Sequence, residues 1–470
     1  MSMSERAPQN PDALGQTASM HSAIGHTLRP GVPGVVYWFR ADLRLHDQPV
    51  LSHAVEWAKE RGVWLLPVFV HDPELKIDSA WGFPRTHPRR LTWTAMAVQG
   101  LSGRLHALGS ELLELSGRPE QALQTLVQQL GGPIVVCEEI PAPEEQAQVQ
   151  RLRDVGVEVY PLWPSTLIAP QDLPFAPSAM PDQFTRFRQA VERQGVRVRP
   201  PLPAVQNLPA LPPRERYAAL GSSRPLATVT GNSSAQHAVD TCFDMTSPRF
   251  HGSERAALAH VEQYCRRGLP HHYKQTRNGL MGVDYSTKWS PWLATGALSP
   301  RQAWASVAAF EAEQGANEGT YWIFFELLWR DYFRWLHVKH GRRLYRARGL
   351  SELPAPSHDP HAFQRWCEGR TGQVFIDAGM RELATTGYLS NRMRQNVASY
   401  LIHDLQGDWR AGAAWFESQL LDFDVFSNQG NWLYLSGRGT DPRPSRRFNP
   451  EKQAQDYDPE GLYRTFWADM

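Results

Sequence analysis

The chain has 470 residues, too many for one hydrophobic core, so two or three domains are expected. Its hydrophobic content of 41% is that of a soluble globular protein, and a formal net charge of +1 confines any nucleic-acid surface to a local patch. The best apolar run, Val63 to Val70, is broken by Pro67 and is far too short to span a bilayer, so no membrane segment is expected.

Four cysteines (Cys137, Cys242, Cys265 and Cys367) are scattered without a CxxC pair. That fits a reducing cytoplasm and excludes a disulfide framework or a cysteine zinc site. The 17 histidines form no HExxH motif, and no metal site is expected. Tryptophan, also at 17, is abundant enough to serve aromatic ligands as well as a core.

In chain order, residues 1–33 are rich in Ser, Pro, Gln, Gly and Ala with no apolar period, and read as a disordered extension. From 34 to 164, apolar runs at Val35–Phe39, Val63–Val70, Glu111–Leu115, Ile134–Cys137 and Val157–Leu162 alternate with helical stretches such as Pro49–Arg61 and Arg89–Leu108. This spacing predicts an α/β domain, a doubly wound parallel sheet with helices on both faces. No GxGxxG or P-loop follows the first strand, so a dinucleotide in the usual mode is unsupported. Instead comes the charged loop Arg40 to Asp47, either a ligand-facing edge or a salt-bridged seam. Residues 165–248 are Pro-, Ala-, Gly- and Ser-rich, with Leu208–Pro213 and Gly221–Ser234 especially irregular, and read as a connector.

Residues 249–470 read as nearly all helix, with apolar stripes over Arg255–Arg267, Pro300–Glu313, Tyr321–His340 and Asn391–Leu405. Three groups stand out. In Asp284 to Pro291, Ser290 before Pro291 marks a helix start, and Ser286, Thr287, Lys288 and Ser290 suit a phosphate as well as an ordinary cap. Glu326 and Arg330 share a helical face with Trp329 beside them, either as a buried ion pair or facing a cavity. Ser390 is placed to cap a helix carrying Arg392 and Arg394, and Asp422, Asp424, Asn428, Gln429 and Asn431 follow, with Trp409 and Trp432 nearby. Such a mixture suits a phosphate-bearing heteroaromatic ligand; a polar helix end with a loop is the plainer alternative.

The stretches WFRADLRLHDQPVL, RNGLMGVDYSTKWSPWLATGALSPR, ELLWRDYFRW, DAGMRELATTGYLSNRMRQNVASYL and DFDVFSNQGNW resemble the photolyase/cryptochrome family, most of all its DASH cryptochrome branch. The resemblance runs from about Val35 to Trp467. It implies a photolyase-like fold whose all-α carboxy-terminal domain binds FAD in a U shape. By that likeness Tyr273, Ser286, Thr287, Lys288, Trp289 and Ser290 hold phosphates and ribityl chain. Arg330, Arg394, Asp422, Asp424 and Asn428 surround the ring system and adenosine. Glu326, Trp329, Asn391, Arg392, Gln395 and Tyr434 line the pocket for a flipped pyrimidine dimer. A 5,10-methenyltetrahydrofolate antenna is implied, with Glu144 as the nearest match to its carboxylate partner.

The implied reaction is blue-light repair of cyclobutane pyrimidine dimers by electron transfer. Glu326 serves it if an apolar pocket keeps the carboxyl protonated and able to donate to a pyrimidine carbonyl. An amide at Asn428, beside the redox-active ring nitrogen, favours the reduced states. Electrons reach the flavin through tryptophans matched by Trp432 and Trp409, whereas Pro356 stands at the outermost position; either another aromatic such as Trp335, Tyr345 or Trp366 takes over or photoreduction is inefficient. Duplex-repairing relatives carry Trp at the position of Tyr434, Met at that of Gln395 and usually Trp at that of Tyr388, so single-stranded or locally opened DNA is the expected partner, with RNA also admitted. A cytoplasmic monomer is expected. Two alternatives remain at this level: a signalling photoreceptor, whose relatives carry long tails where this chain stops at Met470, and a flavoprotein that binds nucleic acid without light chemistry.

Overall fold

The computed structural model describes residues 31–164, 166–222, 243–245, 247–441 and 446–468. The expectations for 1–30 and for most of Gly221–Ser234 therefore lie outside the described residues. The first region holds β1 (Gly34–Phe39), α1 (Pro49–Glu60), β2 (Trp64–His71), α2 (Pro88–Ala107), β3 (Leu113–Ser116), α3 (Pro119–Gln129), β4 (Ile134–Glu138), α4 (Pro143–Asp154) and β5 (Val159–Leu162). The sheet order is β3-β2-β1-β4-β5 and every pairing is parallel, with Tyr37 opposite Pro67 on one side and Val136 on the other. All six residues of β1 are buried, as a central strand covered on both faces requires. All four helices of this region begin with proline, whose missing N–H costs nothing in a first turn.

The charged loop after β1 turns out to be a seam rather than a ligand edge. Leu45 and His46 N–H groups donate to the buried Glu254 carboxylate at 3.0 and 2.9 Å, and Arg44 donates to the Gly296 carbonyl at 3.0 Å. Asp47 pairs with Arg301, whose Nε lies 3.1 Å away. Gly296, at φ 71°, allows this approach, because a Cβ there would collide with the Ala41 carbonyl.

Residues 165–248 are less irregular than their composition suggests. They contain α5 (Phe184–Arg193), whose Phe184, Phe187 and Val191 are buried against the helical region. That region consists of α6 (Glu254–Arg266), α7 (Tyr273–Thr276), α8 (Ser290–Thr295), α9 (Pro300–Gln314) and α10 (Glu318–His340). It continues with α11 (Pro360–Cys367), α12 (Val374–Thr386), α13 (Asn391–Ser399), α14 (Trp409–Gln419), α15 (Val425–Leu435), α16 (Pro450–Tyr457) and α17 (Leu462–Ala468). The expected helix to Leu405 ends early: after Ser399 the chain widens into a π-turn, Tyr400–Asp404.

The long α10 is the axis of the molecule. Asn317 and Thr320 close a reciprocal capping box at its start. Asp331, on its far side, accepts the Leu167 and Ile168 N–H groups at 3.1 and 2.8 Å, and burial pushes its carboxyl up to about 6. Arg334 reaches the buried Glu138 at the end of β4 at 3.2 Å, and Trp335 stacks on Trp163 with centroids 4.4 Å apart. Its near side is left to face a cavity.

Candidate functional site

That cavity, of about 670 Å³, is walled by α10, α13, the 285–290 loop, the 420–424 segment with α15, and Phe184 and Thr185 of α5. It is of a size that buries a cofactor. Tyr273, Ser286, Thr287, Lys288, Trp289, Ser290, Glu326, Trp329, Arg330, Asn391, Arg392, Arg394, Gln395, Asp422, Asp424, Asn428, Trp432 and Tyr434 all line it.

Ser390 caps α13 by accepting the Met393 N–H at 3.2 Å, which aims Arg394 at Asp422. Arg394 Nη2 reaches both Asp422 oxygens at 3.0 and 2.7 Å, while its Nε donates to the Leu389 carbonyl. Burial opposes the Arg394 charge, but Asp422 outweighs it and raises the guanidinium above its ordinary value. Asp424 instead caps α15 through the Ser427 N–H at 2.7 Å and lies 3.7 Å from Arg330. Burial works against its charge too, yet Arg330 and the Ser427 N–H hold it below the usual carboxylate range. The two carboxylates thus face one cavity but serve different arginines.

Ser290 is the first residue of α8 rather than its cap, and that helix is only six residues long. The polar cradle is therefore the 286–290 turn itself. Lys288 sits there at φ 57°, a conformation rare for a long side chain, with Nζ 3.3 Å from the Tyr285 ring centre and 4.7 Å from that of Tyr388. Asn428 spends its Nδ2 on the Ala413 carbonyl at 3.0 Å, which leaves Oδ1 for a ligand. Gln429 points away and donates to the Leu344 carbonyl, so only Asn428 and Asn431 of the three amides belong to the site.

The structure places three further sequence candidates. Glu326 does not pair with Arg330 one turn on; it is engaged by Arg277, whose guanidinium lies 4.4 Å from the Trp322 ring centre. The carboxyl is therefore not alone in an apolar pocket, and donating a hydrogen bond requires Arg277 to move. Trp409 does not line the cavity: it is buried, and its indole N–H donates to the Ala347 carbonyl at 3.1 Å. Glu144 lies outside it as well, on α4, where both its oxygens are taken by Arg85 at 2.7 and 2.8 Å.

Several site residues were not anticipated. Phe184 stacks on Trp329 at 3.7 Å, so one face of that indole is already covered. Arg446 lies 4.5 Å from the Tyr434 ring centre at the mouth. The signal for Phe184 was present as apolar residues 184, 187 and 191 in a short amphipathic stretch. Nothing in the sequence links Arg277 to Glu326.

A parallel sheet joined to a helical bundle around one deep polar–aromatic cavity defines a photolyase-type flavoprotein fold. Residues 35–209 match the family described as DNA photolyase, and residues 322–469 match the FAD binding domain of DNA photolyase. The chain is 43% identical to cryptochrome DASH of Xenopus laevis over 447 residues, covering 92% of this chain and 82% of that one. It is 38% identical to the crystal structure of a Synechocystis cryptochrome, with a TM-score of 0.81 over 94% of this chain and 89% of that one. A photolyase structure from Sulfolobus tokodaii, described with two FAD molecules, aligns at 26% identity and a TM-score of 0.70, over 92% and 90% of the two chains. The chain belongs to the photolyase/cryptochrome family, in its DASH cryptochrome branch.

The donor set fits FAD. The 286–290 hydroxyls, Lys288 and Arg394 offer cations and donors to a diphosphate, and Asp422 and Asp424 offer acceptors to ribose and adenine groups. Trp289, on the wall, has a buried indole N–H with no partner among the described residues, a donor still to be satisfied. Among the described residues, no helix is long and apolar enough to cross a membrane.

Proposed function

We propose that the protein is a light-dependent photolyase that splits cyclobutane pyrimidine dimers in single-stranded or locally opened DNA. The observation that carries this reading is that one cavity holds both groups: the Arg394–Asp422 and Arg330–Asp424 pairs with Asn428, and the base-contacting set Glu326, Trp329, Asn391, Arg392, Gln395 and Tyr434. Reduced FAD, when bound and excited by blue light, supplies an electron that opens the cyclobutane ring and is returned afterwards.

The chain's own residues position and protect. Trp329 presents its free face to a base, since Phe184 covers the other. Arg392, near the start of α13, donates to Asn278 at 3.1 Å and is placed for a strand phosphate. Arg277, once drawn to a phosphate, frees Glu326 for a pyrimidine carbonyl. Asn428 cannot surrender a proton as an acid would, which favours the reduced cofactor. The reading extends to a folate antenna near Glu144, which requires the carboxylate to leave Arg85, and to a monomer in the cytoplasm.

The test is a lamp-on, lamp-off repair assay on a dimer-containing oligonucleotide, read by loss of the dimer. Repair confined to illumination supports the proposal. Light-driven cofactor reduction without repair would leave a photoreceptor, and DNA binding without any light chemistry a plain flavoprotein.

A further inference from the structure

Trp432 forms part of the cavity wall, and a ladder of rings leads from it to the surface. Trp366 lies edge-on to it with centroids 6.4 Å apart; Phe363 stacks on Trp366 at 5.8 Å, His358 meets Phe363 at 5.3 Å, and Trp81 meets His358 at 4.9 Å. The last ring comes from a distant part of the chain. Ser79 and Phe83 close a tight turn (Ser79 N–H to Phe83 carbonyl, 2.7 Å), Asp78 and Pro84 bridge across it, and Trp81 and Phe83 at its tip pack on the carboxy-terminal core. Trp81 thereby touches His358, two residues after Pro356 in sequence, and its ring lies 6.0 Å from the guanidinium of Arg410, the neighbour of Trp409.

We infer that Trp81 is the terminal electron donor of this protein, the ring on which the oxidising equivalent comes to rest at the surface. The inference rests on the light-driven reading above. Of the substitutes considered from sequence, Trp335 is stacked on Trp163 and Tyr345 meets His337 edge-on; Trp366 alone of the three has a ring contact with Trp432, and it is fully buried.

What decides where a hole rests is where an indole can lose its proton. Trp366 donates its N–H to the Val397 carbonyl at 3.0 Å and Trp409 to the Ala347 carbonyl, and neither carbonyl is a base. Trp415, which packs on Phe83 at 5.0 Å, has its indole nitrogen buried with no partner among the described residues. Trp81 is half-buried and reaches water. Phenylalanine and histidine rings are harder to oxidise than indole, so Phe363 and His358 bridge rather than stop the charge. The Arg410 charge is paired with Asp408 at 2.6 Å, which lessens its opposition to a cation on Trp81.

The steps balance. FAD, when bound and excited, would supply the acceptor for one electron from Trp432; Trp366 would then refill Trp432 with one electron, and Trp81 would refill Trp366 with one. The Trp81 cation sheds its indole proton to water. An external thiol or ascorbate then returns one electron, and water one proton.

The experiment is flash photolysis of the FAD-loaded full chain, with peptide mapping after steady illumination in air without reductant. In the wild type, a long-lived tryptophan radical that decays faster as ascorbate is added is expected, with oxidised tryptophan in the peptide containing Trp81. Trp81→Phe is expected to shorten the radical lifetime severalfold and make it indifferent to ascorbate. Trp81→Tyr, which keeps the packing and an oxidisable ring, restores a slow decay, and Trp415→Phe behaves as wild type. A Trp81→Phe protein with wild-type lifetime, ascorbate response and oxidation map would overturn the assignment. No radical in the wild type would remove the light-driven reading itself, and this inference with it.

Discussion

Asp422 is 6% exposed and gives both oxygens to Arg394, so the carboxylate has little water to fall back on. Breaking such a buried pair by removing one partner costs about 3–5 kcal/mol, because the other charge is left uncompensated. Asp422→Ala is therefore expected to yield colourless or unstable protein, checked by bound-flavin absorbance and thermal melting; full cofactor occupancy at normal stability would count against the pair's role. Glu382 poses the opposite case. It is buried on α12, and burial pushes its carboxyl up to about 7 although the Tyr463 hydroxyl donates to it. The unfolded chain ionises this group near its ordinary 4.5, so between that value and about 7 the folded state binds more protons than the unfolded one. Its contribution to stability is thus complete below 4.5 and lost as the pH rises through about 7. Glu382→Gln, which keeps an acceptor for Tyr463, is expected to gain on the order of 1–3 kcal/mol over wild type at about pH 8 and nothing at about pH 4. Urea unfolding at both pH values decides it; an equal shift at both would put the effect in packing instead.

Helices α14 and α15 meet through a glycine: a Cβ on Gly412 would overlap the Trp432 ring and Leu401. Overpacking of this kind costs about 1–3 kcal/mol. Gly412→Ala is expected to lower the melting temperature and, by tilting Trp432, to slow light-driven reduction of the flavin; unchanged reduction kinetics in a destabilised protein would show that the tilt does not matter. Interactions between elements of this sort are what the sequence could not display. The strands were legible because buried parallel strands read as apolar runs, and their helices because proline marks the first turn. The Ser390 cap was legible as well, since capping acts locally, whereas Asp422 finds Arg394 across 28 residues of sequence. Helix α5 was not: prolines at 170, 174, 177 and 181 masked a ten-residue amphipathic stretch whose Phe184 completes the Trp329 wall. The Arg277 partner of Glu326 was hidden for a related reason. Four-residue spacing favours Arg330, but Arg330 donates to the Leu293 carbonyl and faces Asp424, while Arg277 arrives from another segment. Tertiary partners override a bonus of only about 0.2–0.5 kcal/mol for a helical pair.

At the scale of the whole molecule, the repair proposed above turns on which DNA could deliver a dimer to the cavity. A formal net charge of +1 gives little long-range pull, so binding depends on local cations such as Arg392 and Arg446 at the mouth. In duplex the dimer must first leave the stack, at a cost of a few kcal/mol that the pocket repays by stacking and hydrogen bonds. The repayment here is modest. Trp329 has one face to offer, and Tyr434 stands edge-on to it at 5.9 Å with Arg446 already over its ring. Gln395 must be desolvated to make contact. Tyr388 does not help, since it lies deep in the wall against Phe243 and Lys288. Because about 1.4 kcal/mol is a factor of ten in binding, one missing stacking contact shifts the preference toward single strands by roughly one to two orders of magnitude. Initial repair rates on matched single-stranded, bubble and duplex substrates at one salt concentration are expected to fall in that order. Tyr434→Trp, with its larger face, is expected to raise duplex repair more than single-strand repair. Equal rates on duplex and single strand in the wild type would sink the argument, whatever the variant does.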